Sequence, residues 1–123
     1  MTPTPCSLVL LPDVAGVRSA RAFVHEQCRH LGMDSERCDS AALMVSELVT
    51  NAFLHGRSEA RIVVVASGAL LRVEVADDDS RHPALVSQDD AALDGRGLVI
   101  VEALSTSWGV RDEMLGKTVW FEV

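Results

Sequence analysis

The feature that most constrains this 123-residue chain is the segment 38–56, where apolar residues recur at three- and four-residue steps. Cys38, Ala41, Ala42, Val45, Leu48, Val49 and Ala52 mark the inward face of an α-helix. Glu47, Asn51 and His55 follow one another at i, i+4 and form a polar ridge beside that face. A carboxylate and a carboxamide aligned at the edge of a core suit a metal and phosphate site. The same spacing also suits an ordinary solvated face, so other stretches must decide. Asp34 or Ser35 can cap the start of this helix, and Gly56 can close it.

Upstream, residues 6–11 form a short apolar run closed by Pro12, which suits a strand. A helix follows over 14–31, with Val17, Ala20, Val24, Cys28 and Leu31 on one side and Gly32 as its stop. Its other side carries Arg18, Arg21, His25 and Arg29. In a chain of formal charge -7 this basic stripe is either a solvated helix face or a surface for an acidic partner.

Downstream, the β-branched run 60–66, the turn Ser67-Gly68-Ala69 and the run 70–77 predict a hairpin. Leu71, Val73 and Val75 alternate with Arg72 and Glu74. Counting one step further puts Asp77 on the apolar side, where a carboxylate is costly unless something hydrogen-bonds it. A ligand with N–H donors would do so; the alternative is that the strand stops at Ala76 and Asp77 merely opens a loop. Residues 78–94 carry five more acids and no sustained period, which reads as a long loop of the kind that serves as a lid. They lack the alternating oxygens and the glycine of a calcium loop. Gly95-Arg96-Gly97 leads into a short apolar helix from Leu98. Small residues at a helix start let backbone N–H groups approach an anion, though the pair would also serve as a simple hinge. A strand over 108–111, a turn at Leu115-Gly116 and a closing strand over 117–123 complete the chain, with Val119, Phe121 and Val123 on one face. Gly116-Lys117-Thr118 is not a phosphate-binding P-loop, because Arg111 occupies the first glycine position and a strand follows.

This length supports one two-layer core. The acidic balance argues against direct nucleic-acid binding, which depends on Lys and Arg neutralising phosphates. No apolar run is long enough to span a bilayer and the N-terminal residues lack a signal-peptide pattern, so no membrane association and a cytoplasmic location are expected. Cys6, Cys28 and Cys38 have no metal-ligand spacing and read as reduced core filler.

The order of a helix with Glu-x-x-x-Asn, a strand ending in Asp, a long loop, Gly-x-Gly with a helix, and Gly-Lys-Thr with a last strand resembles the GHKL superfamily of ATP-binding domains. Within it, the pattern is most similar to the single-domain anti-sigma regulatory factors of actinomycete type, which are serine/threonine kinases. The resemblance implies an α/β (α+β) two-layer sandwich, the Bergerat-type ATP-binding fold: a mixed, mainly antiparallel sheet with helices on one face, a single domain over 1–123 and a lid at about 78–96. It implies ATP and Mg²⁺ as cofactors, Glu47 as the general base, Asn51 as the Mg²⁺ ligand and Asp77 as the acid that accepts from the adenine amino group. Gly95, Arg96 and Gly97 correspond to the phosphate-wrapping glycine box and Thr118 to a threonine near the adenine; His55 and Gly56 would be structural. Where the family has Asp-x-Gly-x-Gly, this chain has Asp77-Asp78-Asp79-Ser80-Arg81, without either glycine.

The resemblance implies an ATP-dependent protein serine kinase that binds a sigma factor and phosphorylates a small anti-sigma antagonist, with homodimerisation as a further expectation. The replaced glycines support an alternative, a non-catalytic partner-binding module with or without nucleotide. A bare metal-dependent hydrolase is disfavoured, since no His/Asp/Glu cluster supplies a full metal shell.

Overall fold

A computed structural model describes residues 5–55, 59–78 and 93–123, and for His55 and 93–97 the backbone only. Among the described residues, five strands and three helices follow in the order β1 (Cys6–Leu10), α1 (Val14–His30), α2 (Ser35–His55), β2 (Ala60–Ser67), β3 (Leu70–Asp77), α3 (Leu93–Leu104), β4 (Ser107–Glu113) and β5 (Gly116–Glu122).

The helix ends obey local chemistry. Asp13 caps α1 by accepting from the Gly16 N–H at 2.7 Å, and Asp34 rather than Ser35 caps α2 by accepting from the Arg37 N–H at 2.8 Å. Gly32 takes φ +79° after α1, and the Met33 N–H reaches back to the Cys28 carbonyl at 3.3 Å. That wrap requires a left-handed residue, which is why glycine stands there.

The sheet order is β1-β2-β3-β5-β4. Every pairing among the described residues is antiparallel, where the sequence suggested a mixed sheet. The reason is topological: β3 and β4 run the same way across the α3 crossover, but β5 inserts between them and pairs antiparallel with both.

The helices form the second layer. α2 packs between α1 and α3 and over β2 and β3. Of the inward side chains foreseen for α2, Cys38, Ala41, Val45, Leu48, Val49 and Ala52 join the core cluster, while Ala42 is buried beside it at the groove with α1; with them stand Val24 and Cys28 of α1, Leu98 and Val101 of α3, and Ile62, Val64, Leu71, Val73, Val75, Val119 and Phe121 from the sheet. Each such burial stabilises by about 1.5–3 kcal/mol for the larger side chains. The chain brings two of its cysteines together around Met33: the Cys28 thiol lies 3.6 Å from its Sδ and the Cys38 thiol 3.7 Å from its carbonyl. No helix of the described residues is long and apolar enough to cross a membrane.

Candidate functional site

Where the polar ridge of α2 points follows from its neighbours. Asp39 accepts from His25 of α1 at 3.0 Å, Ala42 lines a groove with α1, and the Phe53 ring lies beside Gly16, where an added Cβ would stand 3.2 Å from it. At about 100° per residue, Glu47 and Asn51 stand roughly 110–150° round the helix from that side. They therefore face away from α1, on the flank where α3 packs. Both are half-buried, and the carboxamide oxygen of Asn51 is itself buried.

The register fixes which end of the domain they occupy. At one end Arg37, in the first turn of α2, donates to the Ala69 carbonyl at 3.0 Å, just before β3 begins. At the other, α2 ends at His55 and β2 starts at Ala60, where Arg61 stands opposite Ala76. The C-terminal half of α2, with Glu47 and Asn51, thus lies toward the Asp77 end of β3. α3 points its start the same way: just past its C-terminus, the Thr106 N–H bonds the Glu122 carbonyl at 2.7 Å, and Glu122 pairs with Arg72 far from Asp77. Gly95, Arg96 and Gly97 lie within the first turns of α3, which begins at Leu93, rather than ahead of it as the sequence suggested. Most of the expected lid, and Gly56, lie outside the described residues. Glu47, Asn51, Asp77 and the glycine-bearing start of α3, drawn from separate stretches of chain, thus gather at one end of the helix-covered side.

Asp77 faces that side, as the alternation predicted. Its carboxylate meets Lys117: the Nζ lies 3.1 Å from Oδ1 and 3.1 Å from Oδ2. The pair is nearly desolvated, the Asp77 side chain being 5 % exposed and Lys117 8 %. Asp112 stands opposite Lys117 in the next strand, making a row Asp77–Lys117–Asp112 across β3, β5 and β4. Gly116 runs directly against the end of β3, where a Cβ would sit 1.9 Å from the Asp77 carbonyl oxygen. Lys117, Asp112 and Gly116 were not singled out for this site from sequence. The signal was present: stepping back by two from Val119 and Phe121 puts Lys117 on their face.

Thr118 occupies the same end but the other face of the sheet. Its hydroxyl donates to Glu113 Oε1 at 2.8 Å, and it joins a polar network of Arg72, Glu74, Arg111 and Glu122, with Arg72 stacked over Trp120. The Thr118 hydroxyl, followed by Arg111, holds the Glu113 carboxyl below the ordinary glutamate range. The structure therefore does not bring Thr118 to the side of Asp77 and Asn51. The basic stripe of α1 also lies elsewhere: Arg21, His25 and Arg29 border a groove of about 550 Å³ together with Glu26 of the same helix and Asp39 of α2, so acids stand among its basic groups.

The donor set fits a nucleotide with a hard divalent cation. Asn51 and Glu47 offer oxygen ligands of the kind Mg²⁺ prefers. No group of three or more His, Cys, Asp or Glu among the described residues could hold a metal unaided. The start of α3 supplies backbone N–H groups and a favourable dipole for phosphate.

A family model described as the histidine kinase-like ATPase domain matches residues 10–123. Among solved structures, the chain is similar to the RsbU and RsbW domains of Rv1364c from Mycobacterium tuberculosis, at 21% identity and a TM-score of 0.75, over 97% of this chain and 32% of that one. It is also similar to the histidine kinase domain of the Erythrobacter litoralis EL346 blue-light activated histidine kinase, at 22% identity and a TM-score of 0.54, over 87% of this chain and 60% of that one. These likenesses are to the fold, and the chain spans about a third of the length of the first. No curated protein matches the chain.

Proposed function

The chain belongs to the histidine kinase-like ATPase domain family, and from that premise we propose that it is an ATP-binding regulator that acts as a protein serine kinase on a small anti-sigma antagonist. The observation that carries this reading is the convergence of Glu47, Asn51, Asp77 and the start of α3 at one end of the helix layer. The fold likeness to a structure containing an RsbW domain supports the regulatory class.

Each group has a role in that reading. The Asp77 carboxylate accepts from the amino group of adenine. The free backbone N–H groups in the first turn of α3, Gly95 among them with Arg96 and Gly97 just behind, bind phosphate oxygens, and the Asn51 carboxamide oxygen would hold Mg²⁺, which would neutralise charge on the phosphates. Glu47, one helical turn from Asn51, takes the proton from the attacking serine hydroxyl of the substrate protein. Positioning and charge neutralisation provide most of the catalysis in such transfers.

The test is calorimetric titration with ATP and ADP, with and without Mg²⁺, followed by incubation with labelled ATP and candidate antagonist proteins. Saturable ATP binding with label appearing on serine is expected. ATP binding without label on any candidate would favour the second reading, a partner-binding module without chemistry, which the sequence Asp79-Ser80-Arg81 in place of two glycines supports.

A further inference from the structure

Two cysteines that the sequence keeps apart meet where α1 hands the chain to α2. Cys28 stands in the last turn of α1 and Cys38 in the first turn of α2. Both are fully buried, and their thiols lie side by side. Met33, on the turn between the helices, touches the two of them: its Sδ is 3.6 Å from the Cys28 Sγ, and its carbonyl accepts from the Cys38 thiol at 3.7 Å. The turn itself sets this arrangement. Gly32, at φ +79°, swings the chain back so that the Met33 N–H bonds the Cys28 carbonyl at 3.3 Å, and the Met33 side chain comes down on the same residue.

Thiolate and thioether sulfurs are soft donors, and together they select monovalent copper over zinc, magnesium or calcium. Sulfurs held about 2.3 Å from one three- or four-coordinate ion stand roughly 3.8–4.0 Å apart, close to the spacing of Cys28 and Met33. No group of three or more His, Cys, Asp or Glu gathers among the described residues, so a zinc ion here would lack its fourth ligand, whereas three-coordinate copper would not. Two thiolates around one monovalent cation leave a single negative charge. Of the charged groups felt at Cys28, Arg37 favours that charge and outweighs Asp34. There is also a way in: Met33 is only half-buried and Leu31, Gly32 and Asp34 beside it are exposed, so its thioether meets solvent before the thiols do. The cluster lies at the end of the domain away from Asp77, where Arg37 reaches the Ala69 carbonyl.

We infer that Cys28, Cys38 and Met33 form a three-sulfur site for a soft monovalent metal ion, Cu(I) in particular, which clamps the end of α1 to the start of α2. Loading changes no oxidation state: each S–H bond gives way to an S–Cu bond, the two protons pass to the buffer, and the thioether adds through a lone pair. The site is independent of the nucleotide-binding reading. The test is anaerobic titration of the whole reduced chain with Cu(I) held by the chromogenic chelator bathocuproine disulfonate, for the unsubstituted protein and for Cys6→Ala, Cys28→Ala, Cys38→Ala and Met33→Leu, each checked for folding by circular dichroism. The unsubstituted chain should take one copper ion from the chelator and show ultraviolet thiolate-to-copper absorption, and Cys6→Ala should do the same. Removing even an outer partner of a metal ligand costs about 10–100-fold in affinity; Cys28→Ala and Cys38→Ala should each cost about 100-fold or more, and Met33→Leu, which keeps the volume and loses the sulfur, about tenfold or more. Met33→Leu, at a half-buried turn position, keeps the question decidable should an alanine in the core unfold the chain. No copper retained against the chelator, binding that disappears with Cys6→Ala, or undiminished binding by a folded Cys28→Ala, Cys38→Ala or Met33→Leu protein would each overturn the inference and leave ATP binding untouched.

Discussion

Gly116 passes so close to Asp77 that a methyl group on its α-carbon would lie 1.9 Å from the Asp77 carbonyl oxygen and 2.8 Å from the Asp78 α-carbon. Both obstacles are backbone, which cannot rotate away as a side-chain tip can. Gly116→Ala should therefore force β5 off β3 at the site, destabilising the fold by about 1–3 kcal/mol or more. Urea denaturation measures the loss, and ATP affinity should fall in the same variant because Asp77 and Lys117 move with the strand ends.

Glu47→Gln separates chemistry from binding. The substitution keeps the size of the side chain at a half-buried position of α2 but cannot accept a proton. Labelled phosphate transfer should drop by about 10²–10⁴-fold, the usual contribution of a general base, while calorimetric ATP affinity stays within a few-fold. Undiminished transfer would remove Glu47 from the proton's path.

The outer face of the sheet sets an acid limit on stability. Burial by itself would raise the Glu74 carboxyl, but hydrogen bonds from Arg72 and then Arg111 outweigh it and hold the group below the ordinary glutamate value. A depressed folded value means that the contribution is present above the unfolded value and disappears as pH falls through the folded one. Glu74→Gln should therefore lower the urea midpoint at about pH 7, and the difference should shrink steadily as pH falls below the ordinary glutamate range. A difference that persists unchanged at the acid end would show that packing, not charge, is what the substitution disturbs.

The cysteines should react unequally. Burial, reinforced by Cys38 beside it, pushes the Cys28 thiol up to about 12, and Cys38 is fully buried as well, whereas Cys6 is partly exposed on β1. Because the thiolate is the reactive form, iodoacetamide on the native protein should modify Cys6 alone, and all three after denaturation, as read by intact mass. Rapid native labelling of Cys28 would mean that α1 and α2 part far more readily than their packing implies.

Much of this was legible in the sequence because it depends on local periodicity. The period of α2 named its core face, the alternation of β3 aimed Asp77 inward, and Gly32 took the left-handed conformation expected of a helix stop. What depends on pairing between distant segments was less legible. That β5 would insert between β3 and β4, making the pairings antiparallel, cannot be read from any strand alone. Lys117 read only as the first residue of the closing strand, because its significance lies in its partner 40 positions away. Thr118 shows the converse: the motif put it near the adenine, and its side of the sheet was not foreseen, since a one-residue step in a strand reverses the face. The start of α3 was read too late because glycine lowers helix propensity, while packing of Leu98 and Val101 into the core anchors the helix that extends back over that pair.

The interior position of the last strand also bears on synthesis. β5 is made after every element it touches, yet it is the piece that joins β4 to the rest of the sheet. On a ribosome, the growing chain could assemble α1, α2 and the β1-β2-β3 portion early, but would wait with one edge of β3 bare until β5 cleared the exit tunnel. A nascent chain stalled before Gly116 should consequently be held by chaperones and fail to retain ATP, and that capacity should arrive in one step, only once β5 has emerged.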